Sequence, residues 1–200
     1  MKETDRILGI SSAALRDENA EGVGVPSLLQ PLIVARNGFF AFESALLVRP
    51  WGGGRGTAEW WNSKEVWRDS YDELPTGLTF FAEDVFGFQF AVDEGGFYSF
   101  DPETAELERI SDSLDGWIDY MLSEYDEATG YSIAHEWQSA NGPIPAGCRL
   151  APAVPFVLGG SYDADALAAK PDVELARFRA TIFNQIRNLP DGAQVRITIE

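Results

Sequence analysis

The chain has 200 residues, 45% hydrophobic and 24% charged, and 32 acidic against 15 basic side chains give it a formal net charge of −17. A field of that sign repels phosphate backbones, which disfavours direct nucleic-acid binding, and speeds encounter with a basic partner. Cys148 is the single cysteine and His135 the single histidine, so neither an intrachain disulfide nor a typical zinc shell is available.

The first residues lack the apolar core of a signal peptide, and no run approaches the roughly 18 apolar residues of a membrane span. The expectation is a cytoplasmic protein with no membrane association. Residues 1–25 are polar and small and read as a loose arm, with room for one short helix around Ser12–Asn19. Residues 26–200 read as one domain, a size that buries a single core.

Pro26 opens a predicted helix whose Leu28, Leu29, Leu32 and Ile33 share a face, and Asn37-Gly38 ends it. Phe39–Glu43 is short and aromatic, and Ala45–Val48 reads as a strand. Gly52–Gly56 is a glycine-rich loop, and Thr57 is placed to cap a helix carrying Trp60, Trp61, Val66 and Trp67. The spacing of Trp60 and Trp67 predicts a core-facing stripe and leaves Trp61 for the surface. Strands follow near 78–83, 86–92, 96–100 and 105–110. In the second, Phe86, Phe88, Phe90 and Val92 alternate and are expected on one face. Asp93-Glu94-Gly95-Gly96 and Asp101-Pro102-Glu103-Thr104 read as tight turns.

Ser113 caps a predicted helix with Leu114, Trp117, Ile118, Met121, Leu122 and Tyr125 at helical spacing. Residues 131–140 suit a short helix. Leu150–Leu158 is extended but broken by Pro152 and Pro155, which suits an edge. Leu175, Phe178, Ile182, Ile186 and Leu189 mark a last long helix, and Val195, Ile197 and Ile199 alternate as a terminal strand. Helices and strands are segregated, so the fold class is α+β, an antiparallel sheet of about five to six strands packed against helices.

Candidate chemistry is sparse. Glu83-Asp84 is an acid pair, but neighbours in a strand point to opposite faces and do not share one substrate. His135, beside Glu136, could act as a general base, yet the sequence holds no Gly-x-Ser-x-Gly elbow. Arg149 beside Cys148 could activate the thiol; a small, partly buried hydrophobe is the plainer reading. The loop Gly52–Thr57 could cradle an anion but lacks the Gly-Lys-Ser/Thr ending of a nucleotide loop. Asp163-Ala164-Asp165 is only a fragment of a calcium loop. No catalytic residue, metal site or cofactor is expected.

The central block resembles the SUKH superfamily, which includes fungal cell-wall-synthesis regulators and bacterial immunity proteins that neutralise toxins. The resembling residues are Phe81–Gly87, Gln89-Phe90, Phe100–Thr104, and Ser113-Leu114 with Trp117. The likeness is better over 26–125; Pro155–Gly160 and Leu189–Gly192 are similar to the extension of one bacterial subgroup, here 126–200. One departure is Ala105, where the family turn usually carries glycine, and alanine tolerates positive φ poorly. The resemblance implies a helix-on-sheet α+β fold and a non-enzymatic protein-binding role. The expected partner is a basic toxin domain, nucleic-acid-attacking toxins being the class whose surfaces the charge suits. Acidic clusters at Asp69, Asp72, Glu73, Glu83 and Asp84, and at Glu124, Asp126 and Glu127, with Trp61 exposed, are the expected contacts. A regulatory scaffold without a toxin and a hydrolase using Glu83, Asp84 or His135 are the alternatives.

Overall fold

The computed structural model describes residues 3–16, 24–190, 192–194 and 196. At its centre is an antiparallel meander of six strands in sequence order: β1 Phe39–Ala41, β2 Leu46–Val48, β3 Thr79–Asp84, β4 Gln89–Val92, β5 Phe97–Phe100 and β6 Leu107–Ser111. The expected α+β architecture is therefore present. The turns form as their residues dictate. Asp93 Oδ1 accepts from the amides of Gly95 and Gly96, and Asp101 Oδ1 from that of Glu103.

Helices cover both faces. On one side α1 (Glu3–Gly9), α2 (Gln30–Ala35) and α4 (Leu114–Ser123) pack on Phe81, Phe90, Val92 and Phe97 through Ile7, Leu32, Trp117 and Met121. On the other, α3 (Ala58–Trp61) and α7 (Asp172–Ile186) pack on Phe80, Ala91 and Phe100 with Trp61, Trp67, Tyr71 and Phe183. These aromatics meet edge-on: Trp67 lies 5.1 Å from Phe80 at 72°, and Phe81 lies 5.1 Å from Trp117 at 66°. Edge-to-face contacts of this kind add specificity to the burial. A register shift between Phe80 and Ala82 sends these neighbours into different layers.

After α5 (Tyr125–Thr129), whose Ala128 joins the first cluster, a third cluster joins α6 (Tyr131–Asn141) to a two-stranded sheet of β7 (Cys148–Pro152) and β8 (Leu167–Pro171). The β7 strand is fastened to the end of β3 by Leu150 N donating to Val85 O at 2.8 Å. In the β1–β2 hairpin, Phe42, Glu43 and Ser44 all have positive φ (50°, 52° and 74°). Gln138 Nε2 of α6 donates to Glu43 O at 2.9 Å and holds the strained turn.

Several expectations need correction. Residues 3–9, expected in a loose arm, form α1, because Ile7 is fully buried against α4. The helix expected from Pro26 begins at Gln30, and the proline in its first turn is Pro31. Thr57 caps α3 as expected, with Trp60 N donating to its hydroxyl, but the helix stops at Trp61. Phe86 and Phe88 lie in the turn before β4, not in it, and join the third cluster rather than that of Phe90 and Val92. Tyr125 belongs to a separate helix after α4, β8 is a strand that no alternation or turn signal in its residues announces, and Leu189 falls beyond α7 and is exposed. Val195, Ile197 and Ile199 lie outside the described residues. No helix among the described residues is long and apolar enough to cross a membrane.

Candidate functional site

The end of β3 sets two adjacent acids in different environments. Glu83 points to the α3/α7 side, where Arg49 Nη2 donates to its Oε1 at 2.9 Å. Arg149 Nε lies 2.8 Å from the same oxygen but off-line, an ion pair without a hydrogen bond. Arg49 also reaches Asp172 Oδ2 at 3.1 Å and stacks 3.7 Å over the Trp61 ring. Trp61 Nε1 in turn donates to Gln89 Oε1 at 2.7 Å. Burial pushes the Glu83 carboxyl up, but Arg149 and Arg49 overcome it and hold it below the usual carboxylate range. Nearby, buried Arg179 pairs with Glu103 at 3.1 Å and lies 5.3 Å from the centre of the Phe88 ring. Three buried guanidiniums thus face Glu83, Glu103 and Asp172.

Asp84 is left without a cation of its own. The turn Asp84–Phe88, in which Gly87 has φ +83°, delivers two amides to its Oδ1: Phe86 N at 2.9 Å and Phe88 N at 2.8 Å. Oδ2 has no hydrogen-bond partner among the described residues. The side chain is only 6% exposed. Burial pushes its carboxyl up to about 8, against the pull of Arg179 and of the two turn amides.

Asp84 forms part of the floor of a cleft of about 540 Å³. Five more carboxylates line it: Asp101, Glu106, Glu108, Asp126 and Glu127; no lysine, arginine or histidine does. Phe86, Phe88 and Tyr162 supply an aromatic wall, with Tyr162 45% exposed, 5.2 Å from Phe86 and stacked at 4.0 Å on Phe156. The negative field reaches the tyrosines. Burial and then Asp84 and Asp101 push the Tyr162 hydroxyl up, and burial with Glu127 and Glu108 does the same at Tyr120. No three His, Cys, Asp or Glu side chains among the described residues gather to hold a metal ion.

The expected contact residues separate. Trp61, expected at the surface, is 1% exposed in the core, because α3 is a single turn and its partner on the sheet is Gln89. Glu83, expected at the partner surface, is consumed by Arg49 and Arg149. Asp69, Asp72 and Glu73 are exposed elsewhere, and Arg187 pairs with the last two at 3.4 and 3.2 Å. Glu124 is exposed outside the cleft wall; Asp126 and Glu127 belong to the wall, with Asp126 Oδ1 also accepting from Ser132 N. The sequence gives no sign of Asp101, Glu106, Glu108, Tyr120 and Tyr162 as site residues; only the fold brings the β5–β6 turn, β6, α4 and the segment between β7 and β8 to Asp84. His135 is an exposed helix residue whose Nδ1 lies 2.7 Å from Glu43 Oε2, and it does not line the cleft that holds Asp84. The Gly52 amide is occupied by the Glu59 carboxylate at 2.9 Å, so the glycine loop offers it to no external anion.

No family model and no curated protein matches the chain. Among solved structures it is similar to Atu4351 from Agrobacterium tumefaciens, at 10% sequence identity and a TM-score of 0.57. The likeness covers 90% of this chain and 88% of that one. At that identity the likeness concerns the fold alone.

Proposed function

We propose that this is a non-enzymatic protein-binding domain of the immunity-protein kind, which binds and neutralises a basic toxin domain that attacks nucleic acid. The observation that carries the reading is the cleft, with six carboxylates and no basic side chain on its walls. The overall charge of −17 supports it: long-range attraction brings a basic surface in, and a cleft with aromatic walls gives it somewhere to dock. An inhibitor seated on a basic nucleic-acid-binding surface blocks substrate by occlusion. The likeness of the central strands and turns to the SUKH superfamily points the same way. Of Glu83, Asp84 and His135 only Asp84 lines the cleft, which disfavours the hydrolase alternative, since general acid–base chemistry needs its groups within reach of one substrate.

The test is co-purification with the toxin domain encoded beside this chain. A stable complex at low salt that weakens as salt rises, together with loss of toxin activity in the complex, is expected. No complex at low salt overturns the proposal.

A further inference from the structure

Among the buried acids Glu83, Asp84 and Glu103, Asp84 is the one without an ion pair inside 4 Å; Arg179 and Arg149 act on it only from farther away. Arg49 serves Glu83 and Asp172, Arg149 serves Glu83, and Arg179 serves Glu103. Oδ1 is engaged by the Phe86 and Phe88 amides, while Oδ2 of this nine-tenths buried side chain is unpartnered on the cleft floor.

We propose that the cleft is a socket for an arginine side chain of a basic partner protein, with the guanidinium donating to Asp84 Oδ2 beside the rings of Phe86 and Tyr162 and inside the rim formed by Glu106, Glu108 and Glu127. This deepens the docking role proposed above and rests on it. Guanidinium is favoured over ammonium for two reasons. It is planar and more weakly hydrated, so bringing it against a buried carboxylate and ring faces costs less. The aromatic wall also already carries one: Arg179 lies 5.3 Å from the Phe88 ring centre and 5.8 Å from that of Phe156.

Seating a cation on Oδ2 favours the ionised carboxylate, so a proton leaves Asp84 to solvent as the guanidinium binds. The groups facing Asp84 are Arg149 of β7, Arg179 of α7 (itself paired with Glu103), Asp101 and Glu106 of the β5–β6 turn, Glu108 of β6, Asp126 and Glu127 of α5, and Tyr162. Asp84, with its carboxyl near 8, titrates between pH 6.5 and 8.5, so affinity rises across that interval.

The experiment is an NMR titration of the whole isotope-labelled chain with N-acetylarginine amide and, separately, N-acetyllysine amide, at pH 6.5 and 8.5. The expected result is movement of the Phe86 and Phe88 amides and arginine binding about 5-fold or more tighter than lysine. The expected gain on raising the pH is about 10-fold. Asp84→Asn, which keeps an oxygen for the turn amides, is expected to abolish the gain and weaken arginine binding about 10-fold. Equal binding of both probes, shifts confined to the exposed rim, no binding at all, or an unchanged Asp84→Asn variant overturns the socket. If the toxin domain nevertheless forms its salt-sensitive complex, the docking proposal survives that failure; if it does not, both fall.

Discussion

Glu83 and Asp84 are adjacent, both are buried, and substituting them should have opposite effects. Glu83→Gln removes the one carboxylate paired with Arg149 and one of two paired with Arg49. Breaking a buried pair from one side strands the remaining charge and costs about 3–5 kcal/mol. Asp84→Asn keeps an acceptor for the Phe86 and Phe88 amides and deletes an ionisation that the fold resists. The folded carboxyl near 8 lies above its ordinary 3.8, so the folded state holds the proton more tightly than the unfolded one. The contribution of Asp84 to wild-type stability is therefore lost as pH rises from about 4 to about 8, with no further loss above that. The interval between 3.8 and about 8, at 1.36 kcal/mol per pH unit, sets a ceiling of about 6 kcal/mol. Water reaching Oδ2 from the cleft lowers this, and the new amide donors cost about 1–3 kcal/mol. The expectation is that Asp84→Asn is about 2 kcal/mol more stable than wild type at pH 8.5, and no more stable than wild type at pH 4.5. Urea unfolding at both pH values, followed by tryptophan fluorescence, measures it. A loss at pH 8.5 as large as that of Glu83→Gln would refute the reading that the fold resists ionisation of Asp84.

Three further substitutions test the fold and its electrostatics. Ala105 sits at φ +55° in the β5–β6 turn, so Ala105→Gly should stabilise by about 1 kcal/mol in chemical denaturation, and a loss would contradict the strain reading. Gly130 joins α5 to α6 at φ +69°, and an added Cβ would fall 2.8 Å from Val85 Cγ1 and collide with the Phe86 ring. Gly130→Ala should therefore cost at least about 2 kcal/mol and lower the thermal midpoint. Hydrogen bonding to His135 holds the Glu43 carboxyl below the usual range. His135→Ala should return it toward its ordinary value in a carboxyl NMR titration, and an unmoved Glu43 would contradict the contact.

The meander was legible in sequence because its turns are written in residues with fixed backbone preferences, such as Asp93-Glu94-Gly95-Gly96 and Asp101-Pro102. Ser113 and Thr57 likewise marked helix starts through hydroxyls that do cap α4 and α3. Burial was legible less often. Trp61 was misplaced because its stripe assumed a helix running to Trp67, and α3 ends six residues earlier. Glu83 read as a surface acid because its partners, Arg49, Arg149 and Asp172, are distant in sequence and only tertiary structure joins them. The cleft could not be read for the same reason. Its carboxylates come from the end of β3, the β5–β6 turn, β6 and a short helix, and alternation along any one segment carries no trace of their convergence. Alternation also misled at Phe86 and Phe88, where the glycine at 87 turns the chain before β4 begins.

The most direct test of the account is isothermal titration of the toxin domain encoded beside this chain into wild type and into a Glu106→Lys/Glu127→Lys variant, whose changes lie on exposed rim positions. Docking through the acidic cleft predicts a Kd at least about 10-fold weaker for the variant and a shallower salt dependence. Equal affinity and an equal salt slope in the two proteins would contradict it.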